Sequence, residues 1–209
     1  MDIMFDDKSA LEDFGLRLSK FTIEAPKPKR VTVSVPNRNG DLDLTYALSD
    51  EIYYENRNIE IIFYIVDLNK RWDANYEAVL NYIHGQRRNV VFGESTWNWD
   101  CFCEVTSVDT RHQVGVVTVN CVAHPYKKRE KQVSKTIMDS GTITIENNRM
   151  QSVPEITSTS ACSIAFEDKS VAIPAGTSIA TDIVLKEGTN TLTVTGTTNI
   201  TIKYTEGAL

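Results

Sequence analysis

The chain has 209 residues, of which 41% are hydrophobic and 24% charged, and it carries a net charge of −6. This composition favours a folded protein of one or two domains and argues against the disordered and fibrous classes. An acidic chain is also poorly suited to bind the phosphate backbone of nucleic acid, which requires clustered lysine and arginine. The one dense basic run, residues 127–131, is interpreted as a solvated linker.

The first residues are acidic and lack the long apolar core of a secretory signal peptide. No apolar run approaches the roughly 18 residues of a membrane span. We therefore expect synthesis in a cytoplasm without membrane insertion. In that compartment the four cysteines of the chain would stay reduced.

Strand patterns dominate the first part of the chain. Residues 14–23 predict one long strand. Residues 59–66 are apolar at most positions, which predicts a strand buried on both faces. The alternation of Val117, Val119 and Cys121 predicts a further strand with one apolar face.

A hairpin is predicted between residues 31–35 and residues 42–46. Three valines alternate in the first of these segments. The Asn39-Gly40 pair supplies the residue types that tolerate positive φ angles, as a two-residue type I′ turn requires. We therefore place the tight turn at Asn39 and Gly40.

One amphipathic helix is predicted over residues 74–84. Its apolar side chains recur at the i, i+3, i+4 and i+7 spacing of a helix with one buried face. Asp73 is a suitable N-cap residue, and Gly85 is suitable for the left-handed position after the helix end.

The second part of the chain has a different composition. Residues 134–209 contain only Phe166 and Tyr204 as aromatic residues and are rich in threonine and serine. Turn signals separate short strand patterns there, which predicts a small β-sandwich. The predicted strands are residues 142–146, 162–166, 170–173, 183–186, 190–194 and 199–204. We predict a mainly β fold, with a β-sandwich-like first domain that contains one helix at residues 1–133 and a second domain at residues 134–209.

The sequence contains few patterns typical of catalytic or metal-binding sites. Cys101 and Cys103 resemble half of a zinc knuckle, but the second ligand pair is missing. Because residues two apart on a strand share a face, we interpret these two cysteines as core side chains. Trp97 and Trp99 suggest a sugar platform or, alternatively, two rings packed on one face of a hairpin. The sequence lacks a nucleophile elbow and a phosphate-binding glycine loop. We therefore predict no enzyme activity, no metal and no cofactor.

Several segments, in their order and spacing, resemble the distal tail proteins of siphophages. The turn that contains Pro36, Arg38, Asn39 and Gly40 matches the Pro-Gly-Arg-x-Gly-like turn of that family, with Asn37 in place of a glycine. The other matching segments are Tyr54-Glu55-Asn56-Arg57-Asn58-Ile59, Ile83-His84-Gly85, Cys121-Val122-Ala123-His124-Pro125-Tyr126-Lys127, residues 187–194 and residues 202–207.

This resemblance implies a non-enzymatic virion protein that forms a homohexameric ring, mainly through its N-terminal domain, with a galectin-like C-terminal β-sandwich. It implies contacts with the tail tube protein and with a tail-associated lysin or fibre protein. DNA would pass through a central channel without specific binding. The chain would be assembled in the host cytoplasm and reside in the virion tail. The alternatives are a free-standing carbohydrate-binding β-sandwich and a small hydrolase with a jelly-roll domain.

Overall fold

The computed structural model describes residues 1–47, 51–65, 72–111 and 114–209. Within these ranges the chain divides into two compact units, Met1–Pro125 and Tyr126–Leu209. The division lies eight residues before the predicted boundary at residue 133, so the basic run begins the second unit.

The first unit is built from strands and one helix. In chain order its elements are β1 Ile3–Phe5, β2 Lys8–Ser9, β3 Leu16–Ile23, β4 Thr32–Val33, β5 Leu42–Asp43, β6 Arg57–Ile65, α1 Trp72–Ile83, β7 Gln86–Phe92, β8 Trp99–Arg111 and β9 Val114–Ala123.

Seven of these strands form one antiparallel sheet in the order β2-β1-β7-β8-β9-β6-β3. Strands that are not neighbours in the sheet nevertheless approach each other. The rings of Phe5 on β1 and Phe63 on β6 have centroids 6.3 Å apart, and those of Phe21 on β3 and Phe92 on β7 are 4.9 Å apart. The sheet therefore curls over and encloses a hydrophobic core on its inner face.

Helix α1 packs on this core through Val79 and Ile83, which are fully buried. Tyr82 contacts Phe14, with ring centroids 5.5 Å apart. After the helix ends, His84 Nδ1 accepts a hydrogen bond of 3.1 Å from the Val105 backbone on β8. The end of the helix is thus attached to the sheet.

The prediction that residues 59–66 are buried on both faces is wrong for the part that the structure describes. On β6, Ile59, Ile61 and Phe63 are fully buried, but the alternate positions are more open and Tyr64 is 44% exposed. The strand has the one-sided burial of an antiparallel sheet with a solvated outer face. Val66 lies outside the described residues.

The second unit consists of two antiparallel sheets. Its strands are β10 Lys127–Ile137, β11 Ser140–Asn147, β12 Glu155–Ser158, β13 Cys162–Phe166, β14 Lys169–Ile173, β15 Gly176–Ile179, β16 Gly188–Thr195 and β17 Thr198–Ala208. One sheet has the order β10-β17-β12-β15 and the other β11-β16-β13-β14.

The core of this sandwich contains inward-facing isoleucine, leucine and valine residues from both sheets, together with Phe166 and Tyr204. Threonine and serine occupy the alternate, outward positions. On the β10-β17-β12-β15 sheet the Ser134 and Thr201 hydroxyls lie 2.9 Å apart, as do those of Thr157 and Thr177. The predicted strand at residues 183–186 is absent from the assigned strands, and only Leu185 makes an isolated bridge, to Ser152.

The basic run is part of a strand and not the predicted linker. Strand β10 pairs along its whole length with β17. Arg129 and Lys131 both bind the carboxylate of Glu206, which is only 3% exposed. This role is not apparent from the sequence, because the partner of the two cations lies more than 70 positions along the chain.

Candidate assembly surface

The predicted turn adopts a different geometry from the one expected. The Val35 carbonyl accepts a hydrogen bond of 3.2 Å from the Arg38 backbone, and Asn37 has a φ of 64°. Pro36 and Asn37 thus occupy the two central positions of the turn, and proline followed by a residue with positive φ is typical of type II. Asn39 is not among the residues with positive φ. The predicted type I′ turn at Asn39-Gly40 is therefore wrong.

Gly40 itself does have a positive φ, of 74°. It lies in an eight-residue loop, residues 34–41, because β4 and β5 pair only through Thr32 with Asp43 and Val33 with Leu42. Proline favours the first central position of a type II turn, and the turn at Pro36 and Asn37 leads the chain out of the ladder soon after Val33. The connection between the strands is therefore much longer than two residues.

The two predicted helix caps have different outcomes. Helix α1 begins at Trp72, so Asp73 is its second residue instead of preceding it, and the Asp73 side chain lies outside the described part of the structure. Gly85 lies two residues beyond the helix end with a φ of 68°. Its N–H donates to the Cys103 carbonyl at 2.9 Å, so the chain turns directly from the helix onto the sheet.

Between β3 and β6, residues 24–47 and 51–56 form a two-legged projection from the sheet that we call the arm. Its legs are joined by backbone hydrogen bonds of 2.8 Å from Lys29 to Tyr53, from Glu55 to Lys27 and from Leu44 to Val31. Within residues 24–47 and 51–56, no residue of the arm is buried. The arm therefore has no hydrophobic core in this structure.

Large apolar side chains of the arm face solvent. Val31, Val33 and Val35 are 41%, 44% and 37% exposed, and Tyr46 and Tyr53 are 61% and 59% exposed. A two-stranded hairpin without a packed face is at best marginally stable in water. Exposed apolar side chains concentrated on such an element are typical of a surface that binds another protein.

The two legs carry opposite charge. The first leg, residues 24–40, contains the basic residues Lys27, Lys29, Arg30 and Arg38 and a single acidic residue, Glu24. The return leg, residues 41–56, has no basic residue and contains Asp41, Asp43, Asp50, Glu51 and Glu55, of which Asp50 lies outside the described residues.

Arg30 and Asp43 form an ion pair of 2.7 Å between the two legs. Hydrogen bonds from Thr45 and from Arg30 lower the pKa of Asp43 to about 2. The Asp43 carboxylate is therefore ionised throughout the neutral range and holds the two legs at this point.

A buried arginine lies where the arm returns to the sheet. Arg57, the first residue of β6, is 6% exposed, and its guanidinium donates to the Pro125 carbonyl and lies 4.9 Å from the Trp99 ring centroid. Burial lowers its pKa, and its Nε has no hydrogen-bond partner. Arg57 thus attaches the base of the arm to the last residue of the first unit.

The residues weighed as catalytic or metal-binding candidates have structural roles. Cys101 and Cys103 are fully buried in the core and carry free thiols. Among the described residues, no group of three or more histidine, cysteine or acidic side chains could hold a metal ion. Two acidic residues near the start of the chain also make structural contacts, since Asp6 pairs with Arg88 and Asp7 accepts a hydrogen bond from Tyr82.

The aromatic side chains considered for sugar binding are largely unavailable. Trp99 is 7% exposed and lies against Arg57, whereas Trp97 is half-buried. In the second unit Phe166 and Tyr204 are buried in the sandwich core. A sugar-binding platform needs an exposed aromatic face, which these two rings do not offer.

Comparison with known proteins identifies the fold. No family model and no curated protein matches the chain. The crystal structure of SPP1 Dit (gp 19.1), described as a paradigm of the hub adsorption apparatus in phages that infect Gram-positive bacteria, matches with a TM-score of 0.73 at 13% identity, over 100% of this chain and 99% of that one. A chain of the phage p2 baseplate in its activated conformation matches with a TM-score of 0.48 at 7% identity, over 97% and 96% of the two chains. Along its whole length, this chain therefore has the mainly β fold of a phage distal tail protein.

Proposed function

We propose that this chain is a non-enzymatic structural protein of a siphophage tail that assembles into a homohexameric ring. The ring joins the tail tube protein to the proteins of the tail tip, a tail-associated lysin or a fibre. The observation that carries the proposal is the arm, an unburied projection with exposed valines and tyrosines on a domain whose fold matches a phage hub protein.

A second copy of the chain is the occupant that best fits the arm. A ring is built from heterologous interfaces, in which one patch of each subunit contacts a different patch of the next. A projection with one basic and one acidic leg is electrostatically complementary to a neighbour of the same sequence. The exposed valines would then gain the burial that they lack in a single chain.

The other parts of the proposal follow from charge and burial. A net charge of −6 disfavours attraction of DNA, which is consistent with DNA passing a central channel without specific binding. In the second unit Phe166 and Tyr204 lie in the sandwich core, so we assign this unit a supporting role or a protein contact and not sugar recognition. No described helix has the length and apolar character of a membrane span.

The test is to replace Val31, Val33 and Val35 together by threonine, which preserves side-chain shape and the β-branched character of the strand. Full burial of a valine contributes about 1.5–2 kcal/mol, and each of these side chains has roughly 40% of its surface free, so the triple change costs each interface about 2 kcal/mol. This corresponds to a roughly 30-fold weaker association. Sedimentation velocity over a concentration series measures it.

The matched control is Val153→Thr in the second unit, since Val153 is 43% exposed and lies outside the arm. We expect the control to assemble like the wild type and the triple variant to dissociate while keeping the thermal midpoint of the single chain. If the triple variant and the wild type assemble equally well, the arm is not part of the interface.

A further inference from the structure

Three thiols meet in the core of the first unit. Cys101 and Cys103 lie on β8 and Cys121 on β9, with exposures of 0%, 0% and 1%. The sulfur atoms of Cys103 and Cys121 are 3.4 Å apart. None of the proposed roles of the chain uses this cluster.

Cys103 and Cys121 are direct partners in the antiparallel ladder of β8 and β9. The His124 N–H donates to the Asp100 carbonyl at 3.0 Å, so residues 100 and 124 form a hydrogen-bonded pair of this ladder. Hydrogen-bonded and non-hydrogen-bonded pairs alternate along an antiparallel ladder, which makes Cys103 and Cys121 a non-hydrogen-bonded pair.

Opposite residues in such a pair have Cα atoms about 4.5 Å apart, near the short end of the 4.4–6.8 Å range found for disulfides. The sulfur atoms must approach by about 1.4 Å to reach a bond length near 2.05 Å. The backbone register thus already brings this pair to disulfide separation, and only side-chain rotation is needed.

The closed core protects Cys103 and Cys121 from oxidation. Hydrogen bonds with Cys101 and Cys103, together with burial, raise the pKa of the Cys121 thiol. The thiolate is the nucleophile in disulfide exchange, so the closed structure reacts slowly with an oxidant. Reaction requires local opening of the β8–β9 ladder, which is a normal fluctuation of native proteins.

We propose that Cys103 and Cys121 are a latent disulfide site that a low-molecular-weight disulfide oxidises. One protein thiolate attacks the small disulfide, forms a mixed disulfide and releases one small thiol. The second protein thiolate then attacks the mixed disulfide, which forms the Cys103–Cys121 bond and releases the other small thiol. The two protein thiols lose two electrons and two protons, and the small disulfide gains both.

The test uses the full chain and 2-hydroxyethyl disulfide as the oxidant. After denaturation, titration should find two thiols in place of the four of the reduced chain, and the intact mass should fall by the mass of two hydrogens. Peptide mapping should link Cys103 to Cys121. The thermal midpoint of the first unit should rise and return to its original value on reduction, because the bond constrains the unfolded chain.

Two variants make the assignment specific. Cys162→Ser, in the second unit, should still lose two thiols on oxidation, whereas Cys121→Ser should lose none. The proposal is overturned if the oxidised wild type keeps four thiols, or if its bridge includes Cys101 or Cys162 or joins two chains. Mapping of the wild-type chain decides the matter even if Cys121→Ser fails to fold.

Discussion

The buried carboxylate of Glu206 offers a sharp test of how the second unit is stabilised. Glu206 is 3% exposed and binds Lys131 at 3.0 Å and also Arg129. Substitution by glutamine preserves the shape of the side chain and removes the charge. Breaking a fully buried ion pair costs roughly 3–5 kcal/mol. The side chains of the two cations are about one third exposed, so solvent weakens the interaction. We therefore expect the substitution to lower the unfolding free energy by about 2 kcal/mol.

The pH dependence of the wild type and the variant should differ. Burial raises the pKa of Glu206, but hydrogen bonds from Arg129 and Lys131 outweigh it and leave the pKa below its ordinary value of 4.5. A carboxyl with a lower pKa in the folded state stabilises the fold above the pKa of the unfolded chain, and this contribution is lost as the pH falls through the folded-state pKa. The difference in unfolding free energy between wild type and Glu206→Gln should therefore be largest at neutral pH and disappear as the pH falls below about 4.5.

Urea unfolding followed by far-ultraviolet circular dichroism measures the loss, and hydrogen exchange of peptides from β10 and β17 shows that it occurs in the second unit. The matched control is Glu130→Gln, because Glu130 lies next to Arg129 on the same strand but forms an exposed pair with Lys203. We expect no measurable change for the control. Equal effects of the two substitutions, or a gap that persists unchanged at acid pH, would refute the reasoning.

Two further predictions concern the first unit. Gly85→Ala and Gly40→Ala introduce a methyl group where φ is +68° and +74° and no atom lies within 4 Å, so each cost is backbone strain of about 1–2 kcal/mol. Urea unfolding should show this loss of unfolding free energy for Gly85→Ala, because Gly85 attaches α1 to β8. It should show no loss for Gly40→Ala, because the arm can open locally without unfolding the rest of the unit. Equal losses for the two variants would show that the arm unfolds together with the rest of the unit. Arg57→Ala should lower the unfolding free energy by about 3 kcal/mol through a cavity, whereas Arg57→Met should cost about 1 kcal/mol because it refills the space without a buried charge. Similar losses for both Arg57 variants would show that its hydrogen bond to Pro125, and not its packing, dominates.

The elements that could be predicted from the sequence are those whose pattern is local. The alternation of Val117, Val119 and Cys121 predicts a strand, and the spacing of apolar residues before Gly85 predicts a helix, because inward-facing residues recur with the period of the element. The helix nevertheless begins at Trp72, before its predicted cap, because helix ends are set by less regular signals.

The errors have two causes, a competing local turn signal in one case and distant contacts in another. Asn39-Gly40 is a strong hairpin signal, but the turn forms at Pro36-Asn37 instead, and the ladder beyond it has only two residue pairs. The basic residues Arg129 and Lys131 look like part of a solvated linker until Glu206 is placed beside them. The exposure of the arm could not be read from its valines, since the same alternation is typical of a strand packed on a core.

The size of the assembled particle tests the central claim most directly. Native mass spectrometry of the purified chain, alone and then with the tail tube protein, should find a complex of six times the chain mass of 23.5 kDa, and negative-stain imaging should show a closed ring. The second condition is included because ring formation can require a neighbouring tail protein. A single chain at every concentration and with tail partners present would contradict the account.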